Sequence, residues 1–130
     1  MTTKPIQIRL TLSFPDPYLF PNKTAHWAKK ARLAARQKDE AALVALNFFN
    51  RSGLEPPRWK EATIDIRAFK RSGRAIDRDN FLNAMKRAWD GLEKAGVVEN
   101  DSGFWHMPPI FEVDAKNPRV ELIITERIEK

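Results

Sequence analysis

Asp77 and Asp79 are separated by one residue and followed at once by Asn80. In an extended lead-in, two side chains one residue apart fall on the same side of the chain. Carboxylates so placed repel each other unless a cation sits between them. Mg2+ is commonly held by one or two carboxylates together with phosphate oxygens of a substrate. The same residues also fit a plainer role, with Asp79 capping the helix that follows and Asp77 favouring its positive end. Along that helix Asp79, Asn83, Lys86 and Asp90 recur at i, i+4, i+7 and i+11, a single polar stripe. Lys86 stands about 10 Å along the axis from Asp79. Its side chain points back toward the N-terminus, within reach of a phosphate held at the two aspartates. The alternative is an ion pair with Asp90. Asp101 lies beyond the far end of a helix of about 16 residues, or about 24 Å. If Asp101 completes the same site, it comes from a second subunit of an isologous dimer.

The elements that must position these residues are legible from periodicity. Ile6, Ile8, Leu10 and Leu12 alternate with polar residues and predict a half-buried strand over 6–14. Pro15, Pro17 and Pro21 make the next segment a stiff loop. From about Ala25 to Asn50 the chain is rich in Ala and Leu without Gly or Pro, which predicts a helix capped by Asn22 or Thr24. Its expected buried stripe is Trp27, Ala31, Ala34, Ala41, Ala45, Phe48 and Phe49, with Lys29, Arg32 and Arg36 sharing another face. Ser52-Gly53 stops it. A second alternating strand spans Ala62–Lys70. The polar stretch KRSGRAIDRDN then forms a basic loop into the second helix, over about Asn80–Ala95, with Asp79 as its N-cap and Gly96 just past its end. Phe104–Val113, broken by Pro108-Pro109, reads as an irregular or edge strand, and Arg119–Thr125 as the last strand. The order β-α-β-α-β-β, its final pair joined by a short turn, predicts an α+β fold with a single mixed β-sheet and two packed helices.

Composition narrows the functional classes. The chain has 130 residues, 42% hydrophobic and 31% charged, which suits one soluble globular domain over 1–130. The net charge is +6, which raises the prior for a polyanionic partner. There are no cysteines, and the two histidines, His26 and His106, are far apart in sequence, which argues against a zinc site. No P-loop, GxSxG or dinucleotide fingerprint is present. No run approaches a membrane span and the first residues carry no signal-type apolar core, so a cytoplasmic, non-membrane location is expected.

The residues between Asp77 and Ser102 resemble the RusA family of Holliday junction resolvases, phage- and prophage-associated endonucleases. The resemblance is carried by D-x-D-N at Asp77–Asn80, Lys86, the run Asp90-Gly91-Leu92, the run Lys94-Ala95-Gly96, and Asn100-Asp101-Ser102. The terminal strand RVELIITE and the order of elements also look like the family's. The chain departs from the pattern at Ile76 and Asn100 and in a longer spacing from D-x-D-N to the lysine. The resemblance implies a RusA-like domain acting as a Mg2+-dependent endodeoxyribonuclease. Such an enzyme resolves four-way DNA junctions by paired nicks in DNA recombination and repair, as a homodimer. It assigns Asp77, Asp79 and Asp101 as metal ligands and, with Lys86, as catalytic residues. The basic loop residues Lys70, Arg71, Arg74 and Arg78, with Asn80, are the expected DNA contacts. The competing expectations are a non-catalytic basic DNA-binding protein and a nuclease for flaps or other branched nucleic acids.

Overall fold

The computed structural model describes residues 3–128. It is an α+β fold with one mixed sheet. The five strands are β1 (Gln7–Ser13), β2 (Ala62–Lys70), β3 (Phe104–His106), β4 (Ile110–Val113) and β5 (Arg119–Glu126). Three α-helices accompany them: α1 (Trp27–Ser52), α2 (Arg78–Ala84) and α3 (Lys86–Lys94). The sheet order is β1-β5-β2-β3, with β4 following β3 along the same edge of β2. Pro108-Pro109 is what divides that edge into two short strands, both parallel to β2.

Strand alternation sets the two faces of the sheet. Ile8, Leu10 and Leu12 of β1, Ala62, Ile64, Ile66 and Ala68 of β2, and Val120, Leu122 and Ile124 of β5 are all buried. Register aligns them, with Leu10 opposite Leu122 and Leu122 opposite Ile66. The helices cover this face and the other is open. Ile6 does not join the row, because β1 begins one residue later and leaves it 91% exposed. The final two strands are not a hairpin. Strand β5 crosses past β2 and inserts between β1 and β2, antiparallel to both. Arg119 secures the connecting turn, donating to Asp114 and Glu121 at 2.9 Å each while lying over the Phe69 ring.

Helix α1 starts at His26, whose Nδ1 accepts from the Ala28 N–H at 3.2 Å, not at Asn22 or Thr24. It ends where expected, on Gly53 in the left-handed region at φ 69°. Only the half beyond Glu40 is buried, through Ala41, Ala42, Ala45 and Phe49. The expected stripe fails upstream: Ala31 is exposed and Trp27 is 76% exposed. Tyr18, whose ring centroid lies 3.8 Å from Lys29 Nζ, touches this end of the helix without burying Trp27 or Ala31.

The second predicted helix is two helices. Met85 (φ −94°, ψ 0°) separates α2 from α3. The Gln37 side-chain amide donates to the Ala84 carbonyl at 2.8 Å. The Ala88 N–H, which would otherwise pair with that carbonyl, turns to Met85 at 2.9 Å. A side chain inserted into the helical ladder is a recognised cause of a kink.

His106 packs against Trp89, with ring centroids 4.8 Å apart, and its buried Nε2 has no partner among the described residues. Burial holds its pKa below the ordinary 6.5. A depressed folded pKa means that no proton-linked penalty acts well above pH 6.5, whereas below it the unfolded chain takes up the proton first. Stability is therefore expected to fall as pH drops below 6.5. His106→Phe, which keeps a ring against Trp89, should flatten that fall in urea denaturation at pH 7 and pH 5. An unchanged acid slope would rule His106 out as its source.

Candidate functional site

Strands β1 and β2 run the same way, so Ser13, Arg119 and Phe69 stand in register at one end of the sheet. Both backbone N–H and hydroxyl of Ser13 donate to Glu40 of α1, and Thr3, before the start of β1, accepts from Glu55 after α1. Helix α1 therefore runs antiparallel to β1, and residues 27–39 lie toward and beyond the Ser13 end. No residue of that segment is buried, and Lys29, Arg32 and Arg36 are exposed. Lys29 lies 3.8 Å over the Tyr18 ring.

The loop from β2 to α2 leaves the sheet at this same end. Arg71, Arg74 and Arg78 are exposed, whereas Lys70 is half-buried and donates to the Arg74 carbonyl at 2.9 Å, fixing the loop's curve. Two separate elements thus bring cations to one end: the α1 overhang, with Lys29, Lys30, Arg32 and Arg36, and the loop, with Lys70, Arg71, Arg74 and Arg78. Both groups are visible in the sequence, but their shared end is not, because it follows from the antiparallel relation of α1 to β1.

The acidic residues divide differently from the expectation. Asp77, not Asp79, is the N-cap of α2, its Oδ1 accepting from the Asn80 N–H at 2.9 Å. Asp79 sits exposed in the first turn. Lys86 opens α3 beyond the Met85 break and is exposed. Asp101 lies beside α3, not past its end, because the chain reverses at Gly96 (φ 93°) and runs back along the helix. The Asp101 N–H donates to Glu93 at 2.7 Å. Its carboxyl meets Asp90, which also takes Arg87 at 3.1 Å. The expected Lys86–Asp90 ion pair is replaced by that Arg87 contact. The hydrogen bond shared with Asp90 holds the Asp101 carboxyl above its usual range, and the same bond holds Asp90 below. Asp90 and Glu93 as neighbours of Asp101 had no signal in spacing alone, since the reversal at Gly96 creates them.

The expected metal set draws Asp77 and Asp79 from one chain and Asp101 from a second subunit. Among the described residues, no group of three His, Cys, Asp or Glu side chains is placed to hold a metal ion. Asp77 and Asp79 stand at the start of α2, and Asp101 beside the middle of α3, against Asp90. The contact between Asp90 and Asp101 sets two like charges together at neutral pH. Asp101→Asn is expected to raise stability at pH 7 by up to about 0.5 kcal/mol, small because the pair faces solvent. Thermal melts at pH 7 would check this, and a lower melting temperature would show that the charged carboxylate is favourably held.

No family model and no curated protein matches the sequence. Among solved structures, the chain is similar to the OmpA-like domain of FopA1 from Francisella tularensis, at 14% identity and a TM-score of 0.40, covering 98% of this chain and 79% of that one. It is also similar to the periplasmic domain of Helicobacter pylori MotB, at 19% identity and a TM-score of 0.36, covering 91% of this chain and 81% of that one. Neither is a resolvase or a nuclease by its description. The expectation of a RusA-family resolvase is corrected on these findings. With it go the readings that rested on it: a junction-cleaving endonuclease or its flap-directed relative, a role in recombination and repair, and branched DNA bound by a homodimer. The cytoplasmic assignment, which rested only on the lack of an apolar span and of a signal-type core in the sequence, is withdrawn too. Among the described residues no helix is long and apolar enough to cross a membrane. At these TM-scores the likenesses themselves carry no argument about what this chain binds.

Proposed function

We propose that this chain is a binding module whose cationic end holds an extended polyanion. The observation that supports the reading is the convergence of the α1 overhang and the β2–α2 loop at one end of the sheet. The overhang is about 20 Å long at 1.5 Å per residue. Cations spread over that length, and repeated on a second element, match a linear chain of charges better than a compact anion. The exposed ring of Trp27, beside His26, adds an apolar contact at the tip of the overhang. The net charge of +6 supplies a long-range field of the right sign. No catalytic step is assigned to the site.

Fluorescently labelled inorganic polyphosphate is the direct probe. Saturable binding that weakens steeply with salt is expected, because cations at the site displace condensed counterions. Absence of binding at about 50 mM salt, or binding indifferent to salt, would overturn the reading. Repeating the titration with Mg2+ addresses Asp77 and Asp79. If these carboxylates share the ion with the polymer, Mg2+ tightens binding; if they do not, it only screens.

A further inference from the structure

We propose that a cleft at the opposite end of the sheet binds a small phosphate-bearing anion, separately from the cationic end. The cleft is about 570 Å³ and is lined by Lys4, Arg58, Lys60, Glu61, Glu126 and Arg127, among others. It lies where β2 begins and β5 ends, at the Ala62–Glu126 pair, the full length of the sheet away from Lys70. Its volume falls within the range of small-molecule sites.

Charge in the cleft is unbalanced. Among the described lining residues, Arg127 is already engaged, and Lys4, Arg58 and Lys60 stand with Glu61 and Glu126. Glu61 is already engaged, accepting from Trp105 Nε1 at 3.1 Å and facing Arg127 at 3.7 Å. Lys4, Arg58 and Lys60 have no ion pair among the described residues. The surplus positive charge therefore points to an anion of more than one charge, and a guanidinium fork favours the oxygens of phosphate.

A second observation is independent of charge. Arg58 has φ 48°, the only non-glycine residue with positive φ among the described residues. A side chain with a Cβ disfavours that conformation, and such backbone is concentrated at ligand clamps. It is held in place by the hydrogen bond from Arg58 N to Gly96 O at 2.8 Å and, next to it, from Trp59 N to Val97 O at 3.1 Å. The buried Trp59 anchors the same segment. The fold thus fixes the arginine at the rim of the cleft in a conformation that the sequence itself would not choose.

Calorimetric titration of the full chain tests this, with inorganic pyrophosphate and glycerol 3-phosphate as probes at about 0.1 M chloride, where screening acts over about 10 Å. Saturable binding of either supports the assignment, and which one binds separates an inorganic anion from an ester. Arg58→Gly removes the guanidinium and relieves the left-handed constraint. Its folding should be kept or improved while affinity falls about tenfold. Lys60→Ala should fall in the same direction. Arg9→Ser removes one charge from the open sheet face and should leave affinity unchanged. Binding of neither probe, unchanged affinity in Arg58→Gly, or an equal loss in Arg9→Ser overturns the proposal.

Discussion

Gly91→Ala is expected to lower the unfolding free energy by about 2 kcal/mol, although alanine is the better helix former by about 1 kcal/mol. A Cβ at position 91 would stand 2.2 Å from the Lys38 carbonyl oxygen, 2.9 Å from the Ala41 Cβ and 3.0 Å from the Ala42 nitrogen. The first and last of these are backbone atoms of α1, so no side chain can swing away, and the two helices must separate. That separation would loosen Ala41 and Leu92, both fully buried in the same core. Overpacking of this kind costs about 3 kcal/mol, and the propensity gain offsets part of it. Urea denaturation of the variant beside Gly73→Ala makes the comparison. An added Cβ at Gly73 meets nothing within 4 Å, so that change should stay within about 0.5 kcal/mol. Equal stability of the two variants would show that α1 and α3 can slide without cost.

The second large effect is on binding. Replacing Arg32, Arg36, Arg71 and Arg74 together by serine should weaken polyphosphate binding by about 100-fold at low salt and make the log–log salt slope shallower by about 3. The four residues are exposed and sit on two elements, so the fold should tolerate the change. The informative comparison distributes the loss. If the α1 overhang and the loop act on the same polymer, either pair alone should lose part of the affinity and part of the slope. A matched loss of charge on the open sheet face, at Arg9 and Arg67, should cost less than about threefold. Equal losses from both sets would mean that net charge, not the shared end of the sheet, governs binding.

Both effects depend on features of differing legibility. The strands could be read because one face is buried and the other is not: Ile8, Leu10 and Leu12 announce themselves by alternation, as do Ile64 and Ile66. The stop of α1 at Gly53 was equally plain, since only glycine takes φ 69° without strain. The failures share one cause, which is contact between segments distant in sequence. Trp27 and Ala31 have the right spacing for a core stripe, but the domain ends before it covers them. The α2–α3 break is invisible in Ala84, Met85 and Lys86 because its cause is Gln37. The length of one straight helix puts Asp101 past its far end, while its position in the fold follows from a left-handed Gly96 that sends the chain back. The D-x-D-N spacing located an acidic helix start, and Asp77 rather than Asp79 is the residue that caps it.

The hydrogen bond from Gln37 to Ala84 ties three helices through one amide. Gln37 sits at the root of the α1 overhang, and Ala84 at the joint between α2 and α3. The angle between the segment that carries Asp77 and Asp79 and the segment that carries Lys86 and Asp90 is therefore set from outside both. Under the proposed function, a polymer gripping the overhang would pull on a lever whose short arm is that amide, with Arg32 within two helical turns of the joint between the two segments.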